Sequence, residues 1–210
     1  ARYPMSGKVF CGECGSPYKR RMNYSTHIQY PALTCSGHLK DKNSCSQKFI
    51  REDAVQMAFV TMMNKLVFAH KEVLQPLLTS LRSISQKDAI SRLSELDERL
   101  EKNAERQNTL TTLMTRGYLD PALFTQESND LLTEAQALTE EKEHLVFSVN
   151  GEMKKTEKLA DLIRFCSRGE MLTEFDGDCF SQFVERVVIH ERNTAAFELK
   201  CGLILKERIR

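Results

Sequence analysis

Cys11-Gly12-Glu13-Cys14-Gly15 is the most informative stretch of this sequence. Two cysteines separated by two residues can bind one metal ion from a tight turn. The glycine after the second cysteine allows a backbone conformation in which N–H groups point at the sulfur atoms. Cys35 and Cys45 follow, so the full spacing is C-x2-C-x20-C-x9-C. This pattern predicts a zinc-binding turn in the N-terminal part of the chain.

The identity of the fourth ligand is open on spacing alone. Nine residues separate Cys35 from Cys45, more than the usual two to four, and His38 is a rival ligand three residues after Cys35. Four protein ligands leave no coordination position for water, so we predict one structural Zn²⁺ rather than a catalytic one. The other cysteines have no partner at short spacing, and we interpret them as simply buried; they are Cys166, Cys179 and Cys201.

Charge is distributed unevenly along the chain. The net charge is only +1, but residues 1–52 carry nine Lys and Arg against three acidic residues, whereas residues 53–210 carry 21 against 26. A basic end on a mildly acidic body predicts a local site for a polyanion, and nucleic acid is the usual partner. A solvated basic loop without a partner is the alternative.

The candidate DNA-binding residues lie around the cysteines, many of them on a presumed loop after Cys14. Lys and Arg suit phosphate contacts, Arg also pairs with guanine edges, and Asn pairs with adenine edges. The set consists of Lys19, Arg20, Arg21, Asn23, Tyr24, Thr26, His27, Lys40, Lys42 and Lys48. We predict that these residues bind nucleic acid.

Helical patterns follow the basic segment. Residues 53–75 are apolar on more than one face, which predicts a buried helix that Asp53 caps and Pro76 interrupts. Two heptad-patterned arms of similar length, residues 86–116 and 121–149, then flank a turn. Matched arms predict an antiparallel coiled coil. We expect the second arm to break at Asn150-Gly151, and the polar seam position of the first arm to be Gln107.

The C-terminal residues change to a strand pattern. Val187-Val188-Ile189 and Ala196-Phe197-Glu198-Leu199 flank Asn193-Thr194, which predicts a β-hairpin. A hairpin needs a core that a coiled coil cannot supply, so we expect the chain to return and pack on the zinc module and the helix after it. We therefore predict an α+β fold with a small zinc β-ribbon, packed helices, a C-terminal β-hairpin and a long antiparallel coiled-coil insertion.

We expect three domains: a zinc ribbon and following helix over residues 1–80, a coiled-coil arm over 81–165, and a helix with β-hairpin over 166–210. No run of 18 apolar residues occurs, so no membrane contact is expected. We find no signal peptide, and an odd number of cysteines argues against a disulfide framework, so we expect a cytoplasmic protein. The absence of an initiator methionine suggests a piece of a longer polypeptide.

Two classes of function remain after the motifs are considered. The sequence has no Gly-rich phosphate loop, nucleophile elbow or paired-His metal motif, so we predict no enzymatic activity for this chain. A DNA-binding module is the first class, and a protein-interaction scaffold without sequence-specific DNA binding is the second. Apolar residues at the coiled-coil tip predict a contact surface for another protein, or else a local cap on the turn; they are Tyr118, Leu119 and Phe124.

The chain resembles the recombinase zinc β-ribbon and following coiled coil of large serine recombinases, which include phage integrases and mobile-element recombinases. The resemblance rests on five segments: Cys11-Gly12-Glu13-Cys14-Gly15, Tyr18-Lys19-Arg20-Arg21, Cys35, Cys45 and Lys48-Phe49-Ile50-Arg51-Glu52. It implies that Cys45 rather than His38 is the fourth zinc ligand. The complete absence of Trp is a departure, because no tryptophan can serve as a core or base-stacking anchor.

The resemblance also implies the setting in which this chain works. The intact protein would carry an upstream serine catalytic domain and a second DNA-binding domain, and it would integrate and excise DNA. The zinc ribbon would recognise a double-stranded attachment site. The coiled coil would contact other recombinase subunits and control synapsis, with a directionality factor as a further partner. A bacterial or phage-encoded, DNA-associated protein is expected.

Overall fold

The computed structural model describes residues 3–24, 28–43, 45–191 and 193–209, except for the side chains of residues 83–87. The chain forms two compact units. The first unit consists of Ala1–Leu78 and Lys155–Arg210, and the second consists of Thr79–Lys154. Among the described residues, no helix combines the length and apolar character that crossing a membrane requires.

Seven strands among the described residues of the first unit form two sheets. The strands are β1 (Val9–Cys11), β2 (Tyr18–Tyr24), β3 (Gln29–Cys35), β4 (Phe49–Arg51), β5 (Val184–His190), β6 (Thr194–Leu199) and β7 (Ile204–Arg208). One sheet has the order β1-β5-β6-β7, and the other has the order β2-β3-β4. All neighbouring pairs are antiparallel except β1 and β5.

The parallel pair β1–β5 joins the N-terminal and C-terminal parts of the chain. Val9 is paired with Val187. The backbone N–H of Gly12 donates to the carbonyl oxygen of Ile189 at 2.8 Å, and the N–H of Val187 donates to that of Lys8 at 2.7 Å. The predicted hairpin is present as β5 and β6, and its first strand pairs with β1, the strand that ends at Cys11.

The helices are α1 (Ser36–Lys40), α2 (Glu52–Ala69), α3 (Gln75–Thr115), α4 (Pro121–Cys166) and α5 (Gly177–Phe183), with a π-helix over His70–Leu74. Helix α2 is buried on several faces, as predicted. Its Phe59 is fully buried and lies 5.3 Å from Phe180 and 6.1 Å from Phe197 between ring centroids. This aromatic cluster places the core between α2, α5 and the four-stranded sheet.

The helix predicted over residues 53–75 differs in its ends. It begins at Glu52 rather than after a capping Asp53, because the N-cap position is Arg51 and carries no side-chain cap bond. A π-helix then separates it from α3. Pro76 is the second residue of α3 and has no N–H to donate, so an unbroken α-helix through this point would lose a backbone hydrogen bond. The predicted interruption near Pro76 is present.

Within the second unit, α3 and α4 form an antiparallel pair. Arg92 Nη2 lies 2.5 Å from Glu141 Oε1, and Asn103 Nδ2 donates to the carbonyl oxygen of Leu131 at 3.0 Å. Gly117 adopts a φ of 73° in the turn. The Asp120 carboxylate accepts bonds from the first backbone N–H groups of α4 and so caps this helix.

The break predicted at Asn150-Gly151 is wrong. Helix α4 continues through both residues and ends at Cys166. Both positions are exposed, and a Cβ at Gly151 would meet no atom within 4 Å. Glycine costs only about 1 kcal/mol in a helix interior. The packing of Leu159 and Leu162, which are both fully buried, can offset a cost of that size.

Candidate metal centre and nucleic-acid interface

Four cysteines converge at one end of the first unit. Cys11 ends β1, Cys14 lies in the turn that follows, Cys35 ends β3, and Cys45 precedes β4. Their sulfur atoms all lie within 4.8 Å of one another. The Cys11–Cys45 separation is 3.6 Å, Cys14–Cys35 is 3.5 Å and Cys35–Cys45 is 3.8 Å. Tetrahedral zinc with Zn–S bonds of about 2.3 Å needs sulfur atoms about 3.8 Å apart. The geometry therefore fits one structural zinc ion.

The turn between the first two cysteines is fixed by backbone geometry. Gly15 has a φ of 69°, which favours glycine, and its N–H donates to the carbonyl oxygen of Cys11 at 2.9 Å. The second cysteine pair demands another glycine, because a Cβ on Gly37 would lie 2.8 Å from Cys14 Sγ. These contacts hold the two cysteine pairs close enough to share one ion.

Two further side chains support the ligands. The Glu13 carboxylate accepts bonds from the backbone N–H and the hydroxyl of Ser46, both at 2.7 Å, and these bonds lower the pKa of Glu13. This carboxylate therefore ties the turn between Cys11 and Cys14 to the residue after Cys45. His38 is not a member of the thiol group. Its Nδ1 lies 2.7 Å from the carbonyl oxygen of Cys45 and supports the ligand loop instead.

Burial makes the ionised form of these thiols depend on a nearby cation. It raises the pKa of the Cys35 and Cys45 thiols, because a thiolate without a counter-ion loses its hydration there. A divalent cation reverses this effect, since coordination deprotonates a thiol outright. Bound zinc would thus supply the positive charge that lets the four sulfur atoms stay close together as thiolates.

The basic run after the first cysteine pair forms a strand, so the prediction of a loop is wrong. Side chains alternate between the two faces of a strand. In the register of the three-stranded sheet, Arg20 is opposite Leu33, which is in turn opposite the buried Ile50. Lys19 is opposite Thr34, which is opposite the exposed Phe49. The consecutive cations therefore lie on different faces, Arg20 towards the core and Lys19 and Arg21 towards solvent.

Arg20 is engaged by groups of its own chain. Its Nε lies 2.5 Å from the Glu52 carboxylate, whose side chain is only 5% exposed, and its guanidinium lies 4.8 Å from the centre of the Tyr3 ring. The bond to Glu52 raises the pKa of Arg20 further. This geometry gives Arg20 a structural role and separates it from the other predicted DNA-binding residues.

A groove lies on the solvent face of the three-stranded sheet. It is lined by Arg21, Asn23, Thr34, His38, Leu39, Lys42, Lys48 and Phe49. Four of the predicted DNA-binding residues therefore come together, and these described lining residues include three cations and no carboxylate. The sequence did not predict Thr34, Leu39 or Phe49 as binding residues, because only strand register and helix position bring them to this face.

The remaining predicted residues lie elsewhere or are not described. Lys19, Tyr24 and Lys40 are exposed but do not line the groove, and Tyr24 Oη accepts a bond from Gln29 Nε2 at 3.2 Å. Thr26 and His27 lie outside the described residues.

The three dispersed cysteines are free; Cys166 and Cys179 are buried, and burial raises their thiol pKa values to about 11 and about 12. They belong to the hydrophobic core.

The predicted tip residues have different environments. Tyr118 is 75% exposed, whereas Leu119 and Phe124 are half-buried. Phe124 extends the row of less exposed positions that runs along α4 through Leu131, Leu138 and Leu145. Tyr118 is therefore the member of this group with a large apolar surface open to a partner.

Comparison with known proteins matches one part of the chain to a family. Residues 4–64 match the family described as the recombinase zinc beta ribbon domain. A solved structure, the crystal structure of an LSR–DNA complex, is 16% identical with a TM-score of 0.41. That match covers 93% of this chain and 55% of the other, so this chain spans about half the length of its match. The comparison with curated proteins found no match.

Proposed function

We propose that this chain, whose residues 4–64 match the recombinase zinc beta ribbon domain family, is the DNA-binding and synapsis-controlling C-terminal region of a site-specific serine recombinase. In this proposal the zinc ribbon recognises the attachment site of the recombinase. The observation that carries it is the groove on the solvent face of the three-stranded sheet, where three cations converge without a carboxylate among the lining residues.

The chemistry of this groove fits duplex DNA. Lys42 and Lys48 offer point charges for phosphate oxygens, and Arg21 and Asn23 offer the side chains that pair best with purine edges. The zinc site lies directly behind, since Cys35 N–H donates to the carbonyl oxygen of Lys48 at 3.2 Å. Metal binding at Cys35 would therefore hold the backbone of Lys48, one of the groove cations, in place.

A selection of bound duplexes from a random DNA pool tests this function. We expect the zinc-loaded protein to enrich a defined short sequence, with an affinity that falls steeply as salt rises. A Cys11→Ala variant run in parallel should lose the enrichment. Cys166→Ala is the matched control, because Cys166 is buried far along the sequence from the thiol group and is not one of its members. Equally weak, unselective binding by all three proteins would instead support a protein-interaction scaffold.

We further propose that the coiled coil contacts a second recombinase subunit through the turn that carries Tyr118. The support for this role is the 75% exposure of an aromatic ring at a turn whose neighbours Leu119 and Phe124 are half-buried. In the complete recombinase, Tyr118→Glu should reduce recombination and leave DNA binding intact. Gln136→Glu adds the same charge at another exposed position of the coil and serves as the control. Unchanged recombination by Tyr118→Glu would remove this role.

A further inference from the structure

We propose that Arg21 and Asn23 are the sequence-reading residues of the groove, and that they contact a guanine and an adenine two base steps apart in the major groove. Lys42 and Lys48 contact the flanking phosphates. This inference rests on the proposed function and deepens it, because it assigns base contacts and phosphate contacts to different residues of the same surface.

The spacing of the two residues fits the spacing of bases. Arg21 and Asn23 are two positions apart on β2, so their side chains point to the same face. At about 3.4 Å per residue their Cα atoms are roughly 7 Å apart. Bases along one DNA strand rise by about 3.4 Å per step, so the pair spans two steps. β2 is an edge strand of its sheet, and the major groove is wide enough to admit a two-stranded ribbon such as β2 and β3.

Both side chains are available for a ligand. Within the described part of the chain, Arg21 has no ion pair and the Asn23 amide has no hydrogen bond. The other described arginines of residues 4–64 form ion pairs, Arg20 with Glu52 and Arg51 with Asp53. Arg21 is therefore the guanidinium free to make the bidentate contact to guanine, and the Asn23 amide is free for the bidentate contact to adenine.

The two lysines differ from this pair in origin and chemistry. Lys42 lies in the segment between the ligands Cys35 and Cys45, and Lys48 lies just after it. Both are exposed, and an ammonium group on a flexible stem suits phosphate better than it suits a particular base. The base-reading residues of the groove therefore lie on β2, and its phosphate-binding residues lie on either side of the ligand Cys45.

The test is the duplex selection, carried out with the zinc-loaded chain and its Arg21→Ala, Asn23→Ala and Lys42→Ala variants. Arg21→Ala should lose preference for guanine at one position by roughly ten-fold to a hundred-fold. Asn23→Ala should lose preference for adenine two steps away and keep the guanine. Lys42→Ala should keep the whole selected sequence, bind all duplexes more weakly, and reduce the slope of log affinity against log salt by about 0.9.

Failure of this inference can be distinguished from failure of the proposed function. If the unaltered protein selects a sequence and both β2 variants select the same one, the function stands and the assignment of base contacts is overturned. Loss of both preferences in a single variant, or a separation other than two steps, would overturn it as well. If the unaltered protein selects nothing, the proposed function itself fails. Thermal unfolding of each variant, expected to be unchanged, confirms that the exposed substitutions leave the fold intact.

Discussion

Arg20 and Arg21 are adjacent in sequence but have opposite surroundings, and this difference can be measured. Arg20→Ala leaves the buried Glu52 carboxylate without its guanidinium, which should lower the free energy of unfolding by about 1–2 kcal/mol. The Arg20 side chain is 47% exposed, so solvent screening keeps the loss in this range. Arg21→Ala should change stability by less than about 0.5 kcal/mol. Urea unfolding in the presence of zinc compares the two.

The same pair of variants should behave in the opposite way towards DNA. Arg21→Ala is expected to weaken duplex binding, whereas Arg20→Ala, assayed below its unfolding temperature, should retain it. Equal loss of stability, or equal loss of DNA binding, would contradict the division of this basic run between two faces. A combined replacement of Lys19, Arg20 and Arg21 would confuse the two effects and is the less informative experiment.

The sequence predicted the basic run but not this division. The alternation of side chains between two faces can be used only once residues 18–24 are known to be a strand. Lys19, Arg20 and Arg21 are three consecutive cations, so they lack the alternation of apolar and polar residues by which a strand is recognised. The partner that holds Arg20 is Glu52, which lies 32 residues away in the chain. No local pattern encodes an ion pair of that separation.

Glu13 offers a second test at the level of single residues. Its carboxylate joins the two ligand loops through Ser46, so Glu13→Ala should weaken zinc retention by roughly ten-fold to a hundred-fold, as loss of an outer-shell partner typically does. Competition with a chromogenic chelator measures this retention. Glu170→Ala removes an exposed acid from the same unit and is the control. Equal zinc retention by the two variants would show that Glu13 does not support the site.

Among the elements, the coiled coil contains a buried polar layer. Asn103 is only 3% exposed, and its amide donates to the carbonyl oxygen of Leu131 and to the Glu134 carboxylate. Its own side-chain oxygen accepts a bond from Gln107. Asn103→Ala removes three hydrogen bonds at a buried position and should destabilise the second unit by about 1–3 kcal/mol.

Thermal unfolding followed by helical circular dichroism measures this effect. Asn108→Ala is the matched control, because Asn108 lies on the exposed side of the same helix and makes no side-chain bond within the described residues. We expect the control to be neutral or slightly stabilising, since alanine is the better helix former. A melting temperature as high for Asn103→Ala as for Asn108→Ala would mean that the polar layer contributes nothing.

Heptad spacing predicted most of the residues that pack between the two helices of the coiled coil. The heptad leucines lie at the less exposed positions, and they are Leu93 and Leu100 in the first arm and Leu131, Leu138 and Leu145 in the second. Gln107 is half-buried in the seam, as expected. Asn103 was not assigned to the seam because an asparagine carries no apolar signal, although it lies seven residues after the buried Leu96. The continuation of α4 through Asn150-Gly151 was missed for a related reason. Helix propensity is local, and the burial of Leu159 and Leu162 that outweighs it is not.

At the scale of the whole molecule, the segment that carries the zinc ligands is hydrogen-bonded to the four-stranded sheet as well as to the three-stranded sheet. The Gly12 N–H between the first two ligands donates to Ile189 in β5. A Cβ on Gly12 would lie 2.6 Å from His190 Nδ1, so the two segments are in close contact. The cysteine spacing could predict the ligands, but pairing between β1 and a strand more than 170 residues later depends on the complete core. Loss of metal should therefore affect both ends of the sequence together.

Hydrogen exchange with and without zinc tests this coupling. Removing the metal with a strong chelator leaves four buried thiols without their cation, so we expect faster amide exchange in β1, β3 and β5. Residues 121–149 belong to the second unit, which holds none of the four thiols, and their amides should exchange at an unchanged rate. Added zinc should restore the slow exchange. Faster exchange confined to β1 and β3, with β5 still protected, would mean that the C-terminal strands are stable without the metal.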